Sequence, residues 1–390
     1  MVWRMTTPMI AINPEVLKWA RESIGYTIDD VSNKTKFPNA TIREWEEKPS
    51  EIPFAALEKL ANAFKRPTIA LLLDRPPEEP KAPPYFRKSG GKAELSPAVR
   101  LAIRKVRNLQ RISRELIENV ENQAPVFSRA KLSDSPEEIA RRERANLGIK
   151  IEEQTKYRDA AEALRRFRTA IEDRGVFVFQ YSGPINEVQG LSLIDKEAPA
   201  ILLNSKDMPE RRLFTLFHEY AHLLLDNPGV CADIEQPVNS ANGLEVWCNR
   251  FARSLLVPKS ELQGFVGRRG LSGRITYKDI AAIASHFHVS KHMVFVCLKS
   301  DGLLSGPKAS ELENIFKRTP DVAIAKSSGK RAKQKGGVPG YKKSISELGL
   351  RYVDLVLKGE AKRRISTSEA LDYLSVKIEG LEKMKAALER

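Results

Sequence analysis

Residues 211–225 read Arg-Arg-Leu-Phe-Thr-Leu-Phe-His-Glu-Tyr-Ala-His-Leu-Leu-Leu, and inside them stand His218, Glu219 and His222. Apolar residues lie nearly all round this stretch, which predicts a buried helix over about Pro209–Leu225. Positions i and i+4 of a helix share one face, a turn apart. Two imidazoles there can reach one Zn²⁺ at about 2.0–2.1 Å each. Glu219 stands beside the open coordination position, where a carboxylate can take a proton from a polarised water and return it to a leaving amine. The plainer alternative is two core histidines bonded to backbone carbonyls. It would leave three buried polar side chains to satisfy inside an apolar helix.

A catalytic zinc takes three protein ligands. Glu245, in Glu-Val-Trp-Cys-Asn at 245–249, offers the third. Asn249 lies one helical turn later and is placed to bond a ligand histidine. Asp226, Asp233 and Glu235 are alternative carboxylates, Asp226 because a straight helix would present it one turn past His222. Cys248 reads as a core residue.

Upstream, 175–181, 190–194 and 200–204 have strand character, and helices are expected at 136–147 and 159–171. Downstream, a helix is expected at 245–256. Two more, with a turn at Val289-Ser290, are expected within 280–298. His286, His288 and His292 are expected to be packing or surface histidines, since 286 and 288 fall on different helix faces.

The run from Arg211 to His222, with Glu245-x-x-x-Asn249-x-Phe251-Ala252 and Leu255-Leu-Val-Pro258, resembles the ImmA/IrrE family of metallopeptidases over roughly residues 160–310. The resemblance implies a zincin-like fold, Zn²⁺ as cofactor, His218, His222 and Glu245 as ligands, and Glu219 as catalytic base. It also implies a protein substrate, often a DNA-bound repressor. The chain departs from the family at Cys248, where alanine is usual, and at Trp247, often polar in relatives.

The first 75 residues have a different character. Asn13-Pro14 reads as a cap with proline at the first helical position, and Gly25 as a helix end. Thr27 to Asp30 reads as a capping box. Further helices are expected from Pro38-Asn39, with Ile42 and Trp45 inward, from Phe54 to Phe64, and from Thr68 to Leu73. This order resembles the Cro/cI-type (Xre) helix-turn-helix, whose third helix would enter the major groove. Asn39, Thr41, Arg43 and Glu44 would face outward, Asn and Arg having edges suited to adenine and guanine. Lys34, Lys36 and Lys48 would meet phosphates. Ile28 stands where relatives often carry Gln, and Glu44, Glu46 and Glu47 put negative charge near the groove.

The 390 residues allow several domains. Lys and Arg outnumber Asp and Glu by 65 to 50, a net +15 that favours polyanions but is spread along the chain. The run of Arg and Lys at 100–114 reads as the solvated face of a connecting helix. Three cysteines and no Cys-x-x-Cys pair exclude a disulfide framework and a zinc ribbon. No run approaches the roughly 18 apolar residues of a membrane span, so the expectation is a cytoplasmic protein with no membrane association.

The expected fold is multidomain and mainly α with an α+β core. An all-α helix-turn-helix domain (10–74) is followed by a Pro-rich linker (75–95) and a helical connector (96–155). A metallopeptidase domain with a small β-sheet (156–310), a basic flexible linker (311–340) and a helical C-terminal region (341–390) complete it. The expected function is a regulatory zinc metalloendopeptidase acting on a protein substrate such as a transcriptional repressor. DNA would bind through residues 10–74, with a homodimer as an option. The competing reading is a DNA-binding transcriptional regulator or antitoxin-like protein whose metallopeptidase fold serves as a sensor or interaction domain.

Overall fold

The computed structural model describes residues 8–78, 86–87, 96–121, 125–183, 187–227, 230–231, 243–271, 273–318 and 339–388. The chain divides into two compact units, one of residues 1–84 with 93–105, the other of 85–92 with 106–390.

The first unit runs β1 (Met9–Ile12), α1 (Pro14–Ile24), α2 (Ile28–Thr35), α3 (Asn39–Glu47), β2 (Ser50–Pro53) and α4 (Phe54–Phe64), then a 3₁₀ stretch at Thr68–Leu72. The Asn13 side chain accepts from the Glu15 amide at the start of α1, and Gly25 closes that helix at φ +76°. Thr27 and Asp30 cap α2 reciprocally. Leu17, Ile24, Val31, Ile42, Leu57, Leu60 and Phe64 are buried together in one core. To the expected helices the structure adds the antiparallel ribbon of β1 and β2. Phe54 opens α4 next to the ribbon, its amide bonded to the Pro8 carbonyl at 3.0 Å, and is 38% exposed. Helix α5 (Pro97–Leu116) begins in this unit. Its Arg104 donates to the carbonyls of Phe64 and Lys65 at 3.0 and 2.8 Å, satisfying groups that α4 leaves open at its C-terminus.

The second unit has a five-stranded sheet of order β3-β7-β5-β6-β4. Its strands are β3 (Phe86–Arg87), β4 (Phe177–Tyr181), β5 (Gly190–Leu193), β6 (Ala200–Asn204) and β7 (Val230–Cys231). β4 runs parallel to β6, and β5 antiparallel to both β6 and β7. β4, β5 and β6 are buried along their whole length, and the strands are mainly apolar, with Gln180, Ser192 and Asn204 buried among the apolar residues. On one face Val178, Ile201 and Leu203 share a core with α8 (Ala160–Glu172) and α9 (Pro209–Leu224).

Before α8 come α6 (Pro136–Asn146) and α7 (Ile151–Gln154). After α9 come α10 (Gly243–Leu256), α11 (Lys259–Arg268), α12 (Tyr277–Phe287), α13 (Lys291–Ser300) and α14 (Gly306–Arg318). The C-terminal region, expected to be helical, holds α15 (Gly340–Leu348), α16 (Leu350–Ala361), α17 (Thr367–Leu374) and α18 (Ile378–Leu388) among the described residues.

The separate connector and C-terminal regions expected from sequence are not separate. Ile139 and Ala140 of α6 enter the same core as α9 and α10. Tyr352 of α16 packs edge-on against Phe179, and Arg351 lies over Phe177, so α16 covers the sheet's other face. The linker expected at 75–95 falls largely outside the described residues, as does most of the one expected at 311–340, whose residues 311–318 belong instead to α14, packed through Leu312 on the core. Among the described residues no single helix is long and apolar enough to cross a membrane.

A buried ion pair fixes the C-terminal helices. Arg168 donates to Glu172 Oε1 at 2.9 Å, to the Ser346 carbonyl at 2.6 Å and to the Val178 carbonyl. Glu172 Oε2 accepts from the Leu350 amide at 3.1 Å. Gly349 sits above the pair at φ +86°, ψ 156°, a region open essentially only to glycine. A Cβ there would strike Glu172 Oε1 and lie 2.7 Å from Arg168 Nη2. Gly349→Ala should therefore destabilise the unit by at least about 1–3 kcal/mol and make residues 339–388 the first region cut in limited proteolysis. An unchanged Tm and digestion pattern would refute this account of the clamp.

Candidate metal centre

Helix α9 starts at Pro209 in the first helical position, and every residue from Thr215 to Leu224 is buried. His218 and His222 lie one turn apart with Nε2 atoms 3.2 Å from each other. Glu245 stands in the first turn of α10, where the helix dipole favours a carboxylate. Its Oε2 is 3.2 Å from His218 Nε2 and its Oε1 3.6 Å from His222 Nε2. Among the described residues this is the group of His, Cys, Asp and Glu side chains that could hold a metal ion, with donor atoms all within 4.8 Å of one another.

The far side of each imidazole is also held. Asn249 Oδ1 accepts from His218 Nδ1 at 2.9 Å, and the Asn227 carbonyl accepts from His222 Nδ1 at 3.2 Å. A carbonyl can only accept, so His222 carries its proton on Nδ1 and turns a lone pair inward. Two ring nitrogens and a carboxylate thus converge on one point, an arrangement that calls for a cation. Burial alone depresses His218, but the hydrogen bond and charge of Glu245, helped by Glu219 and Asn249, outweigh it and hold His218 above its ordinary value. Burial, then the charge of His218, push His222 down to about 4 against the pull of Glu245. The donor set fits a divalent ion of the zinc type.

Glu219 is fully buried on an adjoining stripe of α9. Asp226, the alternative ligand, leaves the helix at φ +54° and pairs with Arg129 at 3.0 Å, so it is directed elsewhere. Asp233 and Glu235 lie outside the described residues. Cys248 is buried, and its thiol is pushed well up by burial and by the charges of Glu245 and Glu219. His286 packs on Phe265, and His292 on Phe295 and Phe316.

Sequence reasoning missed the strap behind the site. Tyr220 donates to the buried Glu143 of α6 at 2.9 Å, and Trp247 Nε1 donates to the Asp134 carbonyl at 2.8 Å. Arg250 pairs with Glu137 at 2.9 Å, and the Ala130 amide bonds the Leu224 carbonyl at 2.9 Å. Residues 130–146 therefore grip both ligand-bearing helices. No local motif announces this, because the partners are 77–113 residues apart.

In the first unit, Arg43 on α3 is exposed and Thr41 half-buried. Lys36, also exposed, ends α2 in the left-handed conformation. Asn39 opens α3, and its amide donates to Asp29 at 2.6 Å. Trp45 packs edge-on against Phe37. Glu46 is bound by Arg21 at 2.8 Å with little exposure, so its charge is paired within the unit.

Residues 171–298 match the IrrE N-terminal-like domain family, and residues 17–71 match the helix-turn-helix family. The chain carries an IrrE N-terminal-like domain. A curated relative, the radiation response metalloprotease IrrE of Deinococcus deserti, is 36% identical over 84 residues, covering 20% of this chain and 30% of the relative. The protein of the same name from Deinococcus radiodurans is 33% identical over 100 residues, covering 25% and 29%. The chain thus spans under a third of the length of these relatives. The IrrE-like domain contains His218, Glu219, His222, Glu245 and Asn249, whereas α6 and its strap precede the matched segment.

Removing the acceptor behind His218 should loosen the cage. Asn249→Ala is expected to weaken Zn²⁺ affinity about 10–100-fold without unfolding the chain. Competition with a chromophoric chelator measures it, and unchanged affinity would show that Asn249 does not orient the imidazole.

Proposed function

We propose that the chain is a regulatory zinc metalloendopeptidase, with a DNA-binding helix-turn-helix in its first unit. The observation that carries this reading is the convergence of His218 Nε2, His222 Nε2 and the Glu245 carboxylate, with Glu219 buried on the next stripe of the same helix. The metalloprotease name of the Deinococcus relatives supports it.

His218, His222 and Glu245 would hold the ion. When bound, it polarises a carbonyl and lowers the pKa of water towards 7. Glu219 accepts a proton from the attacking water at its carboxylate as the new C–O bond forms. It returns that proton to the amide nitrogen as the C–N bond breaks. Asn249 and the Asn227 carbonyl keep both imidazoles in the tautomer whose Nε2 faces the ion.

For the substrate we take a protein, and within that class a transcriptional repressor, because the chain also carries a helix-turn-helix. In that module the exposed Arg43, with Asn39 and Thr41, would read base edges, and Lys36 would contact phosphate. Asn39 must first give up its bond to Asp29.

The test compares wild type, Glu219→Gln and His222→Ala on candidate repressors, with cleavage sites read by mass spectrometry. Wild type should cut and bind about one zinc per chain. Glu219→Gln should keep the zinc and lose at least about 10²-fold in rate, and His222→Ala should lose both. Equal cutting by wild type and Glu219→Gln would end the mechanism, and tight zinc without turnover would favour a sensor.

For the DNA module, Arg43→Ala should weaken and relax specific binding at one base position by about 1–3 kcal/mol, whereas Lys36→Ala should weaken all sequences alike and flatten the salt dependence. Identical losses on specific and random duplexes for both variants would remove α3 from the role of reader.

A further inference from the structure

Strand β5 meets α9 at Gly190. The strand is held there from both sides, Gly190 pairing with Leu203 of β6 and Cys231 of β7. It cannot back away from the helix without breaking the sheet. A Cβ built on Gly190 would overlap Thr215 Cγ2 and lie 3.1 Å from both Cγ and Oε1 of Glu219. Gly190 is not among the glycines at positive φ, so backbone conformation is not what requires it. What requires it is close approach of a strand to a helix. Thr215 is fixed in turn, its hydroxyl donating to the Arg211 carbonyl at 3.0 Å.

We propose that Gly190 is a positioning residue for Glu219. Its bare Cα forms the wall against which the Glu219 stem rests, and this contact selects the rotamer that points the carboxylate. Glutamate has three side-chain torsions, each with its own staggered or broad wells, so every wall around its stem bears on where the carboxylate points. Proton transfer needs one geometry, and a small misplacement costs rate steeply. The inference rests on the reading of Glu219 as the proton-transferring group.

A purely structural role for Gly190 is separable, because the two predicted clashes involve different atoms. Thr215→Ser deletes Cγ2 and keeps the hydroxyl bonded to Arg211. In Gly190→Ala/Thr215→Ser, the added methyl therefore has room against residue 215 but still presses on Glu219.

The experiment uses the full chain as wild type, Gly190→Ala, Gly190→Ala/Thr215→Ser and Glu219→Gln, each loaded with Co²⁺. Melting temperature, cobalt stoichiometry, the visible cobalt band and hydrolysis of fluorescein-labelled casein are measured. Gly190→Ala should melt lower than wild type. The double variant should recover most of that loss and bind about one cobalt per chain. Its visible band should still move towards that of Glu219→Gln, and its casein kcat should fall at least about tenfold with KM within about twofold. A double variant whose band superimposes on wild type overturns the proposal.

Should the double variant stay as unstable as Gly190→Ala, stability decides. Adding Glu219→Ala must then restore it, and failure to do so overturns the proposal as well. If wild type leaves casein intact while the double variant's cobalt band shifts, the peptidase reading loses its support and the role of Gly190 stands.

Discussion

One turn of α9 has to satisfy two neighbours at once. Successive residues on a helix are about 100° apart, so His218 and His222 form one stripe and Thr215 and Glu219 the next. The histidine stripe faces Glu245 and Asn249 of α10. The Thr215–Glu219 stripe faces Gly190 of β5. Neither spacing can relax alone, because both are set by the same backbone. The sheet fixes one side of the helix, and α10, held from behind by 130–146, fixes the other.

Magnitudes explain why such a site needs a cation. Taking a carboxylate out of water costs several kcal/mol, whereas a typical internal hydrogen bond returns about 1 kcal/mol. Glu219 is fully buried, and Glu245 only partly exposed, beside two imidazoles that point lone pairs at one spot. Hydrogen bonding to Asn249 and Asn227 orients the rings but does not offset that charge. A divalent ion does, held by the two Nε2 atoms and the Glu245 carboxylate. The Arg168–Glu172 pair meets the same demand with a guanidinium, and there the outcome is a structural clamp instead of a reactive centre.

How far the sequence could be read follows from which contacts are local. The His218–His222 spacing, the Thr27–Asp30 capping box and the Asn13 cap depend on residues two to four apart, and all were legible. The strands at 177–181, 190–193 and 200–204 were legible from local composition, the first and last rich in β-branched, aromatic and leucine residues and the middle one alternating. The Tyr220–Glu143 bond and the docking of α16 on the sheet were not, since they join segments whose own patterns describe only amphipathic helices. The connector and C-terminal helices therefore read as separate regions, whereas α6 shares the core of α9 and α10 and α16 packs on the sheet's other face. Gly190 was an intermediate case. A glycine inside a strand signals close approach of something, and only the fold shows that it is Glu219.

The N-terminal unit shows why a total charge of +15 is a poor guide to where a polyanion would bind. Three acidic side chains near the α2–α3 turn are engaged within the unit: Asp30 by the Thr27 cap, Asp29 by Asn39 and Glu46 by Arg21. That leaves Lys34, Lys36, Arg43 and Lys48 exposed alongside Glu44 and Glu47, a modest local excess of cations. Phosphate contacts set affinity roughly by the number of charges neutralised, so a surface of this kind would bind any duplex weakly. Preference among sequences would then depend on the few side chains of α3 that reach base edges. By the same reasoning, the arginines of α5 contribute less than their number suggests. Arg104 caps α4, and Arg111 and Arg114 are engaged with Glu115 and Asp195. In both places internal pairing decides which charges remain for a partner.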